Sequence, residues 1–531
     1  MARPTAFDLT NDPIIDLSTA GYYWQLDSDR TIRWALSNGF NGEFWSNPDK
    51  MVQYIDGALD VFSGYIDIKF EYVGHFNNPS EAYAKGSDIT VSLDGASLFT
   101  PNPGVWAVGY PPYSSFDISQ YAGASGDVFI NVNSEANTLQ SYAPGSAGWF
   151  LLIHELGHTL GLKHTHDNGG TGRPTAAGLG IPEVDIDWAS IMSYNDAFDL
   201  NRLEWDPATP MFLDVIGLQY LYGENPNTNA GNSVLRIETI NDYRTFWDSS
   251  GDADYVDAGS SIEGVEIKLP VSFDTPLTTT PVGTAGKLSE SNSNFPTSGY
   301  WLMGDIENAA GSQFDDRIVG NTFPNILIGR QGNDQLVGQQ GNDHLDGNAG
   351  IDYAIYGVTR NQADIAAIED GFSVTSPEGA DILVNIERLS FTDGNIALDI
   401  DGIGGRAYRI YKAAFDRTPD IDGVGYWIAQ MDQGMELDDV ADQFIDSSEF
   451  KTQYGNEPSN NEFLSALYSN VLDRGPDNEG FIWWLDQLDN NPEKTPNKVL
   501  ADFSESPENQ SNVISLIENG FAYTFWDVNF L

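Results

Sequence analysis

Four of the six histidines in this 531-residue chain lie between positions 154 and 166, and three of them are spaced as ligands of one metal ion. In the segment HELGHTLGLKH, His154 and His158 are four residues apart, so on a helix their side chains stand about 40° apart on one face. Gly161 permits the left-handed conformation that ends a helix, and the chain can then turn back to bring His164 as a third nitrogen. Three neutral imidazoles leave one position open for water, which is the arrangement of a catalytic zinc.

Glu155 follows the first of these histidines and is predicted to be the catalytic base. It cannot comfortably join the histidines as a ligand, but it can lie beside a water on the metal and take its proton. Zinc lowers the pKa of bound water from about 15.7 to about 7. The expected reaction is attack of this water on a peptide carbonyl, after which Glu155 passes the proton to the leaving amine.

The remaining histidines are weaker candidates for the metal. His166 follows close after His164 and is an alternative third ligand, although the spacing favours His164. We expect His75 and His344 to be surface or loop residues.

A methionine turn follows the zinc segment. It reads Ser190, Ile191, Met192, Ser193, Tyr194, with the methionine 28 residues beyond His164. Together with the long zinc motif, this turn resembles the metzincins. Tyr194, GWFLLIHELGHTLGLKH before it and ATPMFLDVIGLQYLYG after it are similar to the serralysin branch of that family, over roughly positions 15 to 400. The resemblance implies that Met192 forms a hydrophobic floor under the ligands, and that Tyr194 is a movable zinc ligand that swings away to bond the developing oxyanion.

Hydrophobic periodicity predicts the elements that must position these residues. The predicted strands are 22–34, 66–72, 87–93 and 127–132, and the predicted helices are 49–62, about 148–160 and 208–222. We therefore expect an α+β catalytic domain of the metzincin type over residues 1–225.

A second chemistry lies in three consecutive nine-residue units from Gly329 to Ile355: GRQGNDQLV, GQQGNDHLD and GNAGIDYAI. They match the parallel β-roll repeat of calcium-binding RTX proteins at most fixed positions. Stacked turns would offer hard oxygen ligands for calcium from carboxylates and backbone carbonyls, namely Asp334, Asp343, Asp352 and Gly332, Gly341, Gly350. The units depart from the repeat where Arg330, Gln339 and Asn348 replace its second glycine, and the alternative is a Gly/Asp-rich surface loop.

The chain after the repeats changes to helical spacing and contains an internal duplication. Tyr411, Asp416, Arg417 and Trp427 recur 57 positions later. We therefore predict three domains: the α+β domain, a parallel β-roll/β-sandwich calcium-binding domain at 226–400, and an all-α domain at 401–531 that resembles a domain of unknown function. The acidic residues of the duplicated segments suit turn and helix-capping roles better than a further calcium loop.

Charge and composition exclude several classes of partner. The chain has 78 acidic and 25 basic residues, a net charge of −53, and no cysteine. Nucleic acids and anionic lipids are therefore unsuitable partners, and zinc must be held by histidine and carboxylate. No apolar run reaches the roughly 18 residues that span a bilayer. The chain is expected to be a monomer.

The sequence also bears on where the protein acts. The start, MARPTAFDLTNDPIIDL, lacks the pattern of a cleavable signal peptide. Gly/Asp repeat proteins resemble substrates of type I secretion machinery, whose signal is C-terminal, and FAYTFWDVNFL loosely resembles such a signal. The alternative is that this segment is the last packed element of the third domain.

The leading hypothesis is a secreted, extracellular zinc endopeptidase that acts on protein or peptide substrates and is stabilised by several calcium ions. The alternative is a calcium-stabilised surface or adhesion protein with a vestigial protease domain.

Overall fold

The computed structural model describes residues 2–95, 98–100, 103–113, 123–133, 142–195, 206–237, 242–271, 281–290 and 299–526. Its contacts divide the chain into two compact units, Met1–Gln313 and Phe314–Leu531. The fold is mixed α/β with many parallel strands and a C-terminal helical region. Among the described helices, none combines the length and the apolar character that crossing a bilayer requires.

The first part of unit 1 is a five-stranded sheet covered by helices. Its strands are β3 (Thr31–Ser37), β4 (Lys69–Phe76), β5 (Ile89–Asp94), β6 (Ala107–Gly109) and β7 (Val128–Asn131), after a two-stranded antiparallel pair of β1 (Arg3–Ala6) and β2 (Tyr22–Gln25). The helices are α1 (Pro13–Ser18), α2 (Pro48–Ser63), α3 (Pro79–Ala84), α4 (Ala147–Thr159), α5 (Ala176–Leu179) and α6 (Phe212–Tyr222). The strand order is β4-β3-β5-β7-β6, parallel except for β6 against β7.

Three sequence predictions need correction here. The predicted strand 66–72 is β4, which begins at Lys69 and continues to Phe76. The predicted strand 22–34 is two strands, because the chain turns between β2 and β3, where Arg30 has a φ of +52° and its N–H bonds the carbonyl of Asp27. The predicted helix 208–222 begins only after Pro210, and the Asp214 carboxylate accepts the N–H of Met211 at its first turn. The predicted helices at 49–62 and 148–160 are confirmed as α2 and α4.

The second part of unit 1 is β-rich. Three parallel strands are β8 (Val234–Arg236), β10 (Tyr255–Asp257) and β14 (Asn308–Ala310), and a second group is β9 (Tyr243–Asp248), β11 (Val265–Val271), β12 (Val282–Lys287) and β13 (Gly299–Gly304). Trp247, Trp301 and Met303 from this group are buried in the same apolar core as α4. The indole N–H of Trp301 also donates to the carbonyl of Trp188 at 2.6 Å. Packing therefore joins these strands to the helical part of unit 1.

Unit 2 begins with strands that alternate between two sheets. They are β15 (Arg317–Val319), β16 (Ile326–Gln331), β17 (Gln335–Val337), β18 (His344–Ala349) and β19 (Tyr353–Ile355), then the hairpin β20 (Asp364–Ile368) and β21 (Gly371–Ser376), then β22 (Gly379–Val384), β23 (Arg388–Phe391) and β24 (Gly394–Ala397). Ile326 pairs in parallel with His344, and Arg317 pairs with Gln335. These coils therefore have 18 residues, or two nine-residue units, which fits a β-roll.

The helical region completes unit 2. Its helices are α7 (Ile403–Phe415), α8 (Ile421–Asp432), α9 (Leu437–Asp446), α10 (Ser448–Tyr454), α11 (Asn460–Leu472), α12 (Asn478–Asn490), α13 (Pro496–Ser504) and α14 (Pro507–Ile517), followed by β25 (Phe521–Tyr523). Strand β25 pairs with β24 and so adds to a sheet of the roll. The fully buried Arg388 guanidinium pairs with Asp399 and with Asp432 of α8. The three-domain division stays a prediction, since packing joins the helices after 400 to the roll.

Candidate functional site

Helix α4 presents two of the predicted ligands on one face. Ser146 caps its first turn by accepting the N–H of Trp149, and His154 and His158 follow within the helix. Gly157 lies between them, and a Cβ on it would lie 3.0 Å from the sulfur of Met192. A glycine there therefore allows the methionine turn to pack directly against the helix.

A glycine turn returns the chain to the same face. Gly161 has a φ of +100°, and a Cβ at this position would collide with the carbonyl of Tyr22. The N–H of Leu162 bonds the carbonyl of Gly157 at 3.0 Å, which closes the helix end. The returning chain places the Nε2 atom of His164 3.0 Å from that of His158 and 3.3 Å from that of His154.

The opposite nitrogen of each ring has a hydrogen-bond acceptor. The Nδ1 atom of His154 lies 2.6 Å from the carbonyl of Ile191, and that of His158 lies 3.1 Å from the carbonyl of Leu162. The Nδ1 atom of His164 lies 2.8 Å from the carboxylate of Asp167. A carbonyl or carboxylate requires an N–H at Nδ1, so these contacts assign the Nε2 lone pairs to the shared centre.

The electrostatics of the cluster favour the neutral form of His154 and His158. Burial and the neighbouring imidazoles lower the pKa of His154 to about 3, and they hold the pKa of His158 well below its usual range. Neutral rings with converging lone pairs repel one another unless a cation lies between them. Zn–N bonds of 2.0–2.1 Å in a tetrahedral site imply nitrogen separations of about 3.3 Å, close to those observed. The donor set therefore fits zinc.

Glu155 lies on the same helix in a closed environment. It is 6% exposed, and its Oε2 accepts a hydrogen bond from the N–H of Gly109 at the end of β6. A side chain at Gly109 would collide with the backbone of Glu155, so only glycine lets this strand run along α4. Burial raises the pKa of Glu155 to about 8, against the lowering effect of the Gly109 N–H. A carboxyl with a pKa near neutrality suits proton transfer.

The methionine turn lies under the histidine cluster. Met192 is fully buried, and the turn is held by Asp214 of α6, whose carboxylate accepts the Ser190 hydroxyl at 2.6 Å and the Ile191 N–H at 2.8 Å. Because the Ile191 carbonyl also accepts from His154, this turn links α6 to one of the three clustered imidazoles.

Tyr194 lies at the open side of the cluster. Its side chain is 65% exposed, and its ring centroid lies 4.4 Å from that of His164 and 5.6 Å from that of His154. Burial of the hydroxyl and the charges of Glu155 and Asp167 raise the pKa of Tyr194 to about 12. The phenol is therefore a hydrogen-bond donor at neutral pH.

The other histidines take different positions. The ring of His166 stacks on His164 with centroids 5.0 Å apart, and its Nδ1 lies 3.7 Å from Asp185. His166 forms a second group of candidate metal ligands with His164 and Asp167. His75 on β4 lies 3.2 Å from the amide oxygen of Asn38, and His344 begins β18.

The roll aligns the three predicted calcium carboxylates in ladders. Asp334 accepts the N–H of Asp316 through Oδ1 at 2.8 Å, and Asp352 accepts the N–H of Asp334 at 2.8 Å. On the other side, Asp343 accepts the N–H of Asn325 at 2.9 Å. Each aspartate thus fastens the preceding coil with one oxygen.

The second carboxylate oxygen of each of these three aspartates indicates a cation site. Oδ2 of Asp334, Asp343 and Asp352 is buried without a hydrogen-bond partner. Burial is the main cause that raises the pKa of Asp334 to about 8 and those of Asp343 and Asp352 to about 7. A Cβ on the first glycine of each repeat would press on this oxygen, at Gly329, Gly338 and Gly347. Orphaned carboxylate oxygens in glycine-lined space fit calcium, a hard cation.

The predicted carbonyl donors lie at the turns of the same coils. Gly332, Gly341 and Gly350 have φ values of +114°, +144° and +157°. A Cβ on Gly350 would collide with the carbonyl of Gly332, so the coils approach closely here. The residues that replace the second glycine keep its backbone conformation, with φ of +86° at Arg330, +67° at Gln339 and +64° at Asn348.

Sequence reasoning missed two members of these ladders. Asp381 accepts the N–H of Asp343 at 3.0 Å, and Glu387 accepts the N–H of Asp352 at 2.9 Å. The hairpin of β20 and β21 interrupts the nine-residue period before both residues, which hides them. The signal that remains in the sequence is an acidic residue at each of the two following strands, Asp381 within β22 and Glu387 directly before β23.

A further carboxylate group in unit 1 was also missed. The Asp254 side chain is fully buried with Oδ2 unpartnered, while its N–H bonds Glu307 at 2.9 Å. Burial and the charges of Asp254 and Glu307 raise the pKa of Asp248 to about 6. These three carboxylates have the chemistry of a calcium site, and the signal in the sequence is the Gly/Asp run 248–257.

Acidic residues of the helical region serve as helix caps, as expected. Asp420 and Asp477 accept the N–H of Gly423 and Gly480 at the starts of α8 and α12. Asp416 and Asp473 end α7 and α11 in the left-handed conformation.

Comparisons with known sequences match parts of the chain to known families and proteins. The RTX calcium-binding nonapeptide repeat matches residues 310–345 and 319–354, and a domain of unknown function, DUF4214, matches 407–452 and 441–513. Serralysin of Proteus mirabilis is 30% identical over 199 residues, which cover 36% of this chain and 39% of the relative. Metallopeptidase AprA of Pseudomonas marginalis is 35% identical over 130 residues, covering 22% and 27%. Serralysin C of Dickeya chrysanthemi is 36% identical over 134 residues, covering 24% and 27%.

These matches are partial. They span 39% or less of each relative's length. Over the matched residues the chain is serralysin-like, and at residues 310–354 it carries RTX calcium-binding repeats.

Proposed function

We propose that this protein is a zinc-dependent endopeptidase with a metzincin-type catalytic domain, secreted and stabilised by calcium. The observation that carries the proposal is the convergence of three Nε2 atoms, from His154, His158 and His164, beside a buried carboxylate. The serralysin-like sequence supports the same reaction class.

The proposed mechanism assigns proton transfer to Glu155. Zinc, when bound by the three histidines, supplies Lewis-acid chemistry that polarises a peptide carbonyl and acidifies water. Glu155 takes the proton as water attacks the carbonyl carbon and gives it to the leaving amine. The hydrogen bond from the Gly109 N–H holds the carboxyl in position beside the cluster. General acid–base catalysis of this kind contributes about 10²- to 10⁴-fold.

Tyr194 and Met192 have supporting roles in this proposal. The Tyr194 phenol, exposed beside His164, would donate a hydrogen bond to the developing oxyanion. A donor of this kind contributes about 3 to 4 kcal/mol. Met192 forms the apolar floor beneath the rings.

Calcium is proposed to hold the roll in its folded form. The orphaned oxygens of Asp334, Asp343 and Asp352 are its anchoring ligands, with carbonyls at Gly332, Gly341 and Gly350. The Asp254 group in unit 1 is proposed as a further site.

Extracellular modules bind calcium with Kd of about 10⁻⁴ to 10⁻³ M, so folding is expected after export. Export by type I secretion machinery remains part of this proposal. The C-terminal segment FAYTFWDVNFL lies partly outside the described residues.

The proposal is tested by casein cleavage with the full chain refolded in calcium and zinc. We expect the Glu155→Gln variant to keep its zinc and to lose about 10²- to 10⁴-fold in kcat/KM. Glu183→Gln changes an exposed glutamate of the short 3-10 helix Pro182–Val184. It is the matched control and should keep full activity. A fully active Glu155→Gln variant would overturn the assignment, and cell binding that survives in it would favour an adhesion protein.

A further inference from the structure

The two copies of the duplicated helical region differ in how one helix is covered. Helix α8 buries Val424, Gly425 and Ile428. Helix α12 occupies the equivalent position 57 residues later, and none of its residues is buried by the described part of the chain. At the positions equivalent to Gly425 and Tyr426, Ile482 is 59% exposed and Trp483 is 53% exposed.

The cover of α8 is an extended segment of the same chain, residues 521–526. The N–H of Thr524 bonds the carbonyl of Ile421 at 2.9 Å, and the Thr524 hydroxyl bonds the carboxylate of Asp422. The indole N–H of Trp526 bonds the carbonyl of Asp422 at 3.0 Å. Gly425 is required below this segment, because a Cβ there would collide with the Thr524 carbonyl.

An aromatic pair makes the apolar part of this contact. Tyr426 and Trp427 meet edge to face with centroids 5.0 Å apart, and Tyr426 meets Trp526 of the cover edge to face at 5.8 Å. The first copy therefore uses the half-buried Tyr426 to hold an aromatic residue of an extended segment.

The second copy keeps the aromatic pair. Trp483 and Trp484 meet edge to face at 4.7 Å. Trp484 packs at 5.3 Å against Phe503, a buried residue of α13, so the pair is fixed to the core. We define the Ile482 face as Ile482 and Trp483 with their acidic neighbours on α12, Glu479, Asp486 and Asp489. Their spacing of three, four and seven residues places all five on one side of the helix.

The charge of this face selects the occupant. Its three acidic residues are exposed, and the nearby Lys494 is already paired with Asp502. A second copy of the chain, with a net charge of −53, is repelled, as are anionic lipids and nucleic acids. Lys and Arg side chains are complementary to the rim.

We propose that the Ile482 face binds an extended protein segment that carries an aromatic residue flanked by Lys or Arg. The aromatic ring of the partner packs on Trp483, and its basic side chains pair with Glu479 and Asp486. Because Ile482 takes the place of Gly425, the partner backbone lies farther from α12 than residues 521–526 lie from α8. This inference rests on the helical duplication and is independent of the proposed peptidase activity.

The test measures binding of a fluorescein-labelled peptide, KKFAYTFWKK, which places residues 521–526 between lysines. The protein is the full chain with Glu155→Gln, so that cleavage of the probe cannot imitate weak binding. We expect saturable binding that weakens as salt rises. The double change Ile482→Gln and Trp483→Gln should weaken binding at least tenfold. Glu479→Gln with Asp486→Asn should weaken it severalfold and reduce its salt dependence.

Two controls make the result specific to this face. Ile421→Asn changes an equally exposed apolar residue of α8, 54% exposed, to the residue of the second copy and should leave binding unchanged. The peptide EEFAYTFWEE should bind at least tenfold more weakly than the lysine peptide. Equal binding of both peptides, or no effect of the Ile482/Trp483 change in a protein of unaltered circular dichroism, overturns the proposal. Self-association or binding to anionic vesicles that the same change abolishes would also overturn it.

Discussion

The Nδ1 atom of His154 lies 2.6 Å from the carbonyl oxygen of Ile191, so helix α4 is joined directly to the turn that carries Met192. The N–H of the same Ile191 is bonded to Asp214 on α6 at 2.8 Å. One residue thus connects the orientation of a metal-binding ring to a buried carboxylate on another helix.

Removal of Asp214 is expected to weaken both the fold and the metal site. In Asp214→Ala, the Ser190 hydroxyl and the N–H groups of Ile191 and Met211 lose their acceptor inside the core. Each buried group left without a partner costs about 1 to 3 kcal/mol. We expect zinc affinity to fall about 10- to 100-fold, measured by chelator competition. Hydrogen exchange should rise in α4 and α6. Asp60→Asn on the exposed side of α2 is the control and should change neither. Unchanged zinc affinity would show that the turn does not position His154.

Asp214 should also make stability depend on pH. Burial raises its pKa from 3.8 to about 7. The folded state therefore holds this proton more tightly than the unfolded state, so its contribution is complete below pH 4 and is lost as pH rises through 7. Protection of α6 against hydrogen exchange, corrected for intrinsic rates, should fall by at most about 1.4 kcal/mol per pH unit over this range. The slope should be smaller in Asp214→Ala, and an identical slope would contradict the assignment.

Calcium should stabilise the roll through its aspartate ladder. A ligand that binds only the folded form adds about 2.7 kcal/mol per site at one hundred times Kd. We expect EDTA to lower the melting temperature, and Asp343→Asn to reduce the number of bound calcium ions measured by calorimetry. Asp364→Asn, at an exposed position of β20, should bind as many ions as the unaltered chain. Equal calcium content in the Asp343 variant would exclude this residue as a ligand.

The calcium effect should extend to the helical region. Strand β25 pairs with β24, and the fully buried Arg388 pairs with Asp432 of α8 at 3.2 Å. Breaking a buried ion pair from one side costs about 3 to 5 kcal/mol. In the unaltered chain, we expect calcium to raise the temperature at which circular dichroism at 222 nm is lost. In Arg388→Ala, the melting of the helices should respond less to calcium than in the unaltered chain. Helices that melt at one temperature with and without calcium would show that the two regions fold separately.

The sequence was most informative where the interactions are local. Helix α4 and the three repeat units follow from residue spacing alone, because a helix face and a nine-residue turn are set by neighbours in the chain. The contact of Gly109 with Glu155 joins positions 46 residues apart, and no local sequence pattern indicates it. Asp381 accepts the N–H of Asp343 from beyond the inserted β20–β21 hairpin. Residues 521–526 cover α8, which lies about a hundred positions earlier in the chain. Such pairings depend on tertiary packing, which periodicity does not encode.

The most direct test of the zinc proposal is the metal content of the full chain, folded with calcium and measured by mass spectrometry. The three converging imidazoles predict about one zinc ion per chain, lost in His154→Gln and His164→Gln and retained in His75→Gln. A folded chain without stoichiometric zinc, or zinc retained after both ligand changes, would contradict the account.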